Sequence, residues 1–522
     1  MTDDIVTRLQ RAGTGAIFGV PGGGGNLDLI ESAGRAGMPF VLTSTETAGA
    51  IAALAAAEVT GRPGACLSTL GPGAASLVNG IACAFLDRAP VLAFTDRHPL
   101  SGGDRYTHQH IDHRSLFASI SKWSATLSGD DCDVIVDTAV RQCLGPPPGP
   151  VHLDCDFGGL AKTGTTAAPD PTGAGGSGYG RLLTGASRRP LVIAGLGARS
   201  ADAAAAIRAM CERRSLPAMV TYKAKGVIAD DHPCFAGLFT NGAIEQPLVS
   251  QSDLIVGVGL DPVELLPRPW PYEAPAIYVG AWPVPDGQVP FAAQHVTNPA
   301  HGVRELSDQL TGSDWNLADL ARERERWRSL IDIPTAGLTA QQVVRVAAER
   351  LSATHRVTVD AGAHMFPATM LWPVRAVNQL LISNGLSTMG FALPAAIGAA
   401  VADPSRPVVA LTGDGGLLMC AGELATAARQ RLRVMTIVFN DSSLSLIEIK
   451  QQAKRYARSG VGVGPVDWTQ LAQSFGVAAF NARDEASLAS AIEAAAHVSG
   501  PSLIEAVVDR SNYLRTLQAV RG

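Results

Sequence analysis

Apolar runs and helix-forming stretches alternate along nearly the whole chain. Short runs that read as buried strands are Val41-Leu42-Thr43, Ala65-Cys66-Leu67-Ser68 and Val91-Leu92-Ala93-Phe94-Thr95 near the start. Leu191-Val192-Ile193-Ala194 and Leu254-Ile255-Val256-Gly257-Val258 follow in the middle, and Val357-Thr358-Val359, Pro407–Thr412 and Arg433–Phe439 in the last third. Good helix formers fill the spaces, as in the Ala-rich Ala48–Thr60 and the Ala, Leu, Gln and Arg of Leu424–Leu432. Runs that are apolar throughout suit strands covered on both faces. The βα rhythm predicts an α/β chain of doubly wound parallel sheets.

The rhythm breaks twice. Residues 161 to 188 collapse into Gly, Thr, Ser, Ala and Pro, which cannot bury a core, and Arg322–Arg328 is a charged helical connector followed by Pro334. These breaks predict a first domain over 1–165, a linker over 166–188, a central domain over 189–312, a linker over 313–338 and a third domain over 339–522. A length of 522 residues fits three or four domains of roughly 150 residues each.

Composition narrows the function class. With 46% apolar and 17% charged residues, the chain reads as a large, well-buried, enzyme-like protein. A net charge of -5 argues against nucleic acid as the main partner. No apolar run reaches the roughly 18 residues of a membrane span, and Met1-Thr2-Asp3-Asp4 does not open a signal peptide. The eight cysteines lack CxxC spacing, as expected of reduced core residues in a cytoplasmic protein.

Chemistry gathers at two strand ends. Gly413-Asp414-Gly415-Gly416 follows one apolar run, and Asn440-Asp441-Ser442-Ser443 follows the next. The 27 positions from Asp414 to Asp441 accommodate a strand end, a helix and a return strand, so both carboxylates fall on one sheet edge. Ligands of open α/β sheets bind there. Two acidic oxygens suit Mg²⁺, which takes one or two carboxylates together with phosphate oxygens. Either segment alone reads as a turn; the pair reads as a metal–diphosphate site.

These segments resemble the thiamine-diphosphate-dependent enzymes, with Asp441 in place of the second Asn of that family's Gly-Asp-Gly…Asn-Asn pattern. Ser383-Asn384-Gly385-Leu386-Ser387-Thr388-Met389-Gly390-Phe391 resembles the acetolactate (acetohydroxyacid) synthase branch. By position, the resemblance implies that Asp414, Asp441 and the Ser443 carbonyl hold Mg²⁺. It implies that Gly413, Gly415 and Gly416 let backbone N–H groups approach phosphate oxygens, and that Gly362, Ala363 and His364 contact the diphosphate. Met389 would wedge between the cofactor rings, with backbone groups near Ser387 and Met389 on the aminopyrimidine edge. Leu444, Ser445, Leu446 and Ile447 would wall the cofactor and substrate pocket, while Glu448 reads as an exposed helix carboxylate.

In the first domain, Val41-Leu42-Thr43-Ser44-Thr45-Glu46 runs into the Ala-rich helix and is followed by Thr69-Leu70-Gly71-Pro72-Gly73 and Asn79–Pro90. The resemblance makes Glu46 the acid on the pyrimidine N1′; Thr45 stands where the family usually has His. Thr107-His108-Gln109-His110-Ile111-Asp112-His113 has no zinc-ligand spacing. Gln109 matches a glutamine on the substrate side of acetohydroxyacid synthase, and the His108-Gln109 pair also resembles carboxyethylarginine synthase. Both are read as catalytic, with His108 able to move protons, and His110 and His113 as surface or interface residues. Pro21–Asn26 reads as a flexible turn at the same mouth, without the Lys-Ser/Thr of a P-loop. Gly195-Leu196-Gly197 lacks the third glycine and the acid of a dinucleotide fingerprint, and Leu260–Arg268 does not reproduce the flavin motif, so FAD is not expected.

The expected function is therefore a thiamine-diphosphate- and Mg²⁺-dependent 2-oxo acid decarboxylase/carboligase, a lyase or transferase resembling acetolactate synthase. The alternative is a C–C lyase that cleaves a hydroxy ketone or diketone without decarboxylation. The resemblance further implies a small-molecule 2-oxo acid or ketone substrate. It also implies a homodimer or homotetramer in which Glu46 of one chain faces Asp414 of another.

Overall fold

The computed structural model describes residues 1–99, 107–157 and 187–522. The end of the first domain at 165, and the linker over 166–188 apart from Ser187 and Arg188, lie outside the described residues.

Three sheets of six strands, all pairings parallel, follow one another along the chain. In spatial order the first runs Phe40–Leu42, Ile17–Gly19, Gly64–Ser68, Val91–Asp96, Val151–Asp156, Trp123–Ser128. The third runs Leu380–Ile382, Arg356–Val359, Val408–Gly413, Val434–Asn440, Ser502–Val507, Ala478–Ala482. Numbered within each sheet, both orders are 2-1-3-4-6-5. The middle sheet runs Phe291–Val296, Ala276–Gly280, Leu254–Val258, Pro190–Ala194, Ala218–Val220, Phe235–Leu238, the 3-2-1-4-5-6 order of dinucleotide-binding folds read from its other edge.

The Ala-rich reading of the helix Glu46–Thr60 has a structural cause: both of its faces are buried. One packs on its own sheet, where a Cβ on Gly64 would sit 2.0 Å from the Ala53 carbonyl oxygen. The other packs on the helix Ala392–Ala402 of the third sheet, where a Cβ on Gly398 would sit 2.0 Å from the Ala52 carbonyl oxygen. Side chains larger than Ala would hold these backbones apart. The two outer sheets thereby share one core.

Segment 313–338 contains the helix Leu317–Ile331, which buries Leu320, Trp327 and Ile331 in the core of the central and third sheets. All eight cysteines are unpaired and seven are buried. Among the described residues no helix is long and apolar enough to cross a membrane.

Candidate active site

The third sheet reverses its direction of winding between Arg356–Val359 and Val408–Gly413, and a cavity of about 330 Å³ opens there. Its lining brings together Gly362, Ala363, His364, Ser387, Met389, Gly413, Asp414, Gly415, Gly416, Asp441, Ser443, Leu444, Ser445, Leu446 and Ile447, all singled out from the sequence. Glu46, His108 and Gln109 do not line it.

The two carboxylates face each other across parallel strand ends. Asp414 begins the helix Asp414–Cys420, and Asp441 follows the strand Val434–Asn440. Burial raises the Asp414 pKa against the pull of backbone N–H groups at 415 and 441–443. Burial, augmented by the charge of Asp414, pushes Asp441 up to about 6. Asp441 accepts from Ser443 N–H and Ser445 Oγ, whereas Asp414 Oδ2 is buried without a hydrogen-bond partner. Two such carboxylates beside an unpaired buried oxygen suit a hard dication.

Glycine at 413, 415 and 416 reflects close approach. A Cβ on Gly413 would lie 3.3 Å from the His364 ring, on Gly415 2.5 Å from Leu444 Cδ2, and on Gly416 2.8 Å from the buried Asp360 carboxylate. His364 stacks on Phe439 with ring centroids 5.0 Å apart, and burial holds its pKa down at about 4. It is thus a neutral imidazole at neutral pH. Met389 brings its methyl to 3.5 Å from a Cβ placed on Gly415.

The loop after Asp441 is pinned from behind. Ser442 adopts a φ of 56°, and Leu444 N–H donates to the Val461 carbonyl. Ser443 Oγ donates to Glu448, which also binds Arg510 and Arg458. Glu448 is therefore not the exposed helix carboxylate expected; its side chain turns back toward the loop, and these bonds lower its pKa to about 2. Sequence reasoning also missed Phe439, Tyr513 and Arg521, which line the cavity.

The other candidates gather at strand ends of the first sheet. Thr45 caps the Glu46–Thr60 helix by accepting from Ala48 N–H, placing half-buried Glu46 in the first turn with Oε1 3.2 Å from a Cβ built on Gly73. Ser44 and Thr45 N–H both donate to Glu423 of the third domain. Gln109, with a φ of 58°, packs its carbonyl oxygen 2.5 Å from a Cβ built on Gly71. Both residues thus adjoin the Thr69–Gly73 turn, while His108 is exposed with its carbonyl bound to His98.

His113, expected at the surface or an interface, lies inside the first domain. It is buried; its Nε2 accepts from Gly71 N–H at 3.1 Å, and Nδ1 lies 2.8 Å from Asp154. With Nε2 accepting, Nδ1 is left to donate to Asp154. Burial would raise the Asp154 pKa, but the hydrogen bond from His113 and the charge of Arg97 help bring it down. The network ties the His108–Gln109 loop to Gly71. His110 remains exposed.

In the Pro21–Asn26 turn, Pro21, Gly23 and Gly24 are exposed, yet three glycines approach neighbouring groups closely. A Cβ on Gly22 would meet Thr69 Oγ1 at 2.3 Å, on Gly24 Asp96 Oδ2 at 2.1 Å and on Gly25 Phe157 at 2.2 Å.

Comparison with known proteins agrees along the whole length. Residues 1–116 match the N-terminal TPP binding domain of thiamine pyrophosphate enzymes, 182–283 their central domain and 360–506 their C-terminal TPP binding domain. The chain is 30% identical to the catabolic acetolactate synthase of Raoultella terrigena, over 98% of this chain and 96% of that one. It is 28% identical to an acetolactate synthase of Bacillus subtilis, over 98% and 93%. It is also 28% identical to the acetolactate synthase isozyme 2 large subunit of Escherichia coli, over 97% and 95%. With all three sheets matched and the carboxylate cavity in the third, the chain belongs to the thiamine-pyrophosphate-dependent enzymes, in their acetolactate-synthase-like branch of decarboxylases and carboligases.

Proposed function

We propose that this enzyme uses Mg²⁺ with thiamine diphosphate to decarboxylate a 2-oxo acid and join the remaining fragment to a second carbonyl compound, as an acetolactate synthase does. The observation that carries this reading is the open crevice at Asp414 and Asp441, with a buried Asp414 oxygen left unpaired. Bound thiamine diphosphate supplies the carbon nucleophile and electron sink for making and breaking a bond beside a carbonyl. Asp414, Asp441 and the Ser443 carbonyl hold the metal, and Glu448 fixes Ser443 in place. Neutral His364 and the Gly362–Ala363 backbone offer donors to phosphate, while Met389 and Ser387 set the position of the rings. Leu444, Ser445, Leu446 and Ile447 exclude water from the reacting carbonyl. Glu46 holds or releases a proton at the pyrimidine N1′, and Gln109 and His108 orient substrate and move protons.

Glu46 does not line the cavity of its own chain, and Leu418, Met419 and Ile447 are 43%, 59% and 46% exposed beside it. Both facts support a dimer or tetramer in which the first domain of one copy covers the third domain of another. The same reading takes the three domains as 1–165, 189–312 and 339–522 and, from the buried reduced cysteines, a cytoplasmic location.

FAD has no place in this proposal. At the reversal point of the central sheet, the N–H donors of Leu196 and Gly197 are spent on Glu264 and on the Gly259 carbonyl. A Cβ on Gly195 would lie 2.5 Å from Gly259 O.

The decisive assay supplies pyruvate and other 2-oxo acids with both cofactors. Release of CO2 with a carboligation product is expected. Aldehyde release from a hydroxy ketone without CO2 would establish the lyase alternative instead.

A further inference from the structure

The charge inside the cavity does not balance for a diphosphate. A dication between Asp414 and Asp441 is neutral overall, and burial keeps His364 uncharged, so the phosphoryl oxygens would bring negative charge with nothing opposite. Among the described residues lining the cavity, Arg521 is the single lysine or arginine. It ends the helix Tyr513–Arg521, held by buried Tyr513, Thr516 and Val520 and by the Arg521 carbonyl accepting from Arg268 at 2.7 Å.

The guanidinium carbon lies 5.0 Å from the centroid of Phe366, two residues beyond His364. That places the cation at the root of the Gly362–His364 loop, on the side read as holding phosphate. None of the ion pairs among the described residues involves Arg521. A planar fork resting on a ring, with its donors uncommitted to a carboxylate, is suited to bidentate binding of phosphate oxygens.

We propose that Arg521 is a cofactor-binding residue that pairs with the diphosphate, making the Tyr513–Arg521 helix part of the thiamine diphosphate site. This rests on the cofactor reading given above. It is tested by titrating cofactor-depleted enzyme, at fixed Mg²⁺, with thiamine diphosphate, thiamine monophosphate and thiamine in a calorimeter. Arg521→Gln is expected to weaken thiamine diphosphate binding about 10- to 100-fold and to leave thiamine binding unchanged. Arg521→Lys, which keeps the charge without the fork, should fall between. An unchanged melting temperature for both variants shows that the effect is local.

Unaltered diphosphate affinity in Arg521→Gln would overturn the proposal, while Asp414→Asn losing that affinity would leave the cofactor reading standing. An Arg521→Gln variant with normal cofactor affinity and a raised KM for the 2-oxo acid would assign the cation to the substrate carboxylate, also against the proposal. Wild-type enzyme that binds no thiamine diphosphate would overturn both.

Discussion

The first and third sheets share one strand order yet end in opposite ways where their winding reverses. In the third, Gly413–Gly416 and Gly362–His364 stand apart and leave about 330 Å³ of space. In the first, the Pro21–Asn26 turn runs over the equivalent strand ends, bringing Gly22 against Thr69 and Gly24 against Asp96. Topology delivers a crevice to both; the loops decide whether it is a site. The first sheet instead places half-buried Glu46 after its second strand and exposed Gln109 on a loop against Gly71, the two groups that the proposed dimer or tetramer would bring to another copy's cavity.

This contrast predicts that damage to the third domain removes binding, whereas damage to the first removes turnover. The largest effect is expected for Asp414→Asn, which should weaken Mg²⁺-dependent thiamine diphosphate binding more than about 100-fold by calorimetry. Glu46→Gln should keep the cofactor dissociation constant within about threefold and slow proton exchange at the cofactor C2 by about 10²- to 10⁴-fold, read by deuterium exchange. Undiminished exchange in that variant would break the division of labour. A fall in cofactor affinity as large as that of Asp414→Asn would blur it.

A smaller loss is expected at His113. His113→Ala removes the tie between Gly71 and Asp154, so the His108–Gln109 loop loses its register against Glu46. Steady-state kinetics should show kcat/KM down about tenfold with cofactor affinity unchanged. His113→Asn, able to donate to Asp154 through a shorter side chain, should recover part of the loss. If calorimetry shows cofactor binding affected instead, the loop does not belong to the catalytic face.

The strands and the two carboxylates were legible because their signal is local. A run buried on both faces is apolar throughout, and Asp414 and Asp441 terminate two strands paired in register from Val408/Val434 to Gly413/Phe439. What was not legible depends on partners far along the chain. His113 is buried by Asp154, 41 positions on, and Glu448 is drawn in by Arg510, 62 positions on. Neither pair has a spacing that periodicity can reveal. Arg521 sits at the end of an amphipathic helix without a motif, and only the fold of that helix onto Phe366 brings it to the cavity. The close approaches at Gly22, Gly24 and Gly25 were hidden for a related reason: they depend on Thr69, Asp96 and Phe157, which are distant in sequence.

The central sheet tests whether a crevice closed by the chain itself behaves as a neutral plug. Glu264 fills its reversal point, accepting from Leu196 N–H at 2.7 Å and Thr221 Oγ1 at 2.6 Å, and burial raises its pKa from 4.5 to about 8. Between those values the unfolded chain has released the Glu264 proton while the folded chain retains it. The folded state then binds more protons, so this group's contribution to stability is lost as pH rises from 4.5 and levels off above about 8. The steepest loss is about 1.4 kcal/mol per pH unit. Glu264→Gln carries no such proton and can still accept from Leu196 while donating to Thr221. The urea midpoints of the two proteins should lie close together near pH 5 and diverge toward pH 8 in favour of the variant, with cofactor affinity unchanged. A constant difference across that range would mean that Glu264 is already ionised in the folded chain. The central crevice would then hold a buried charge.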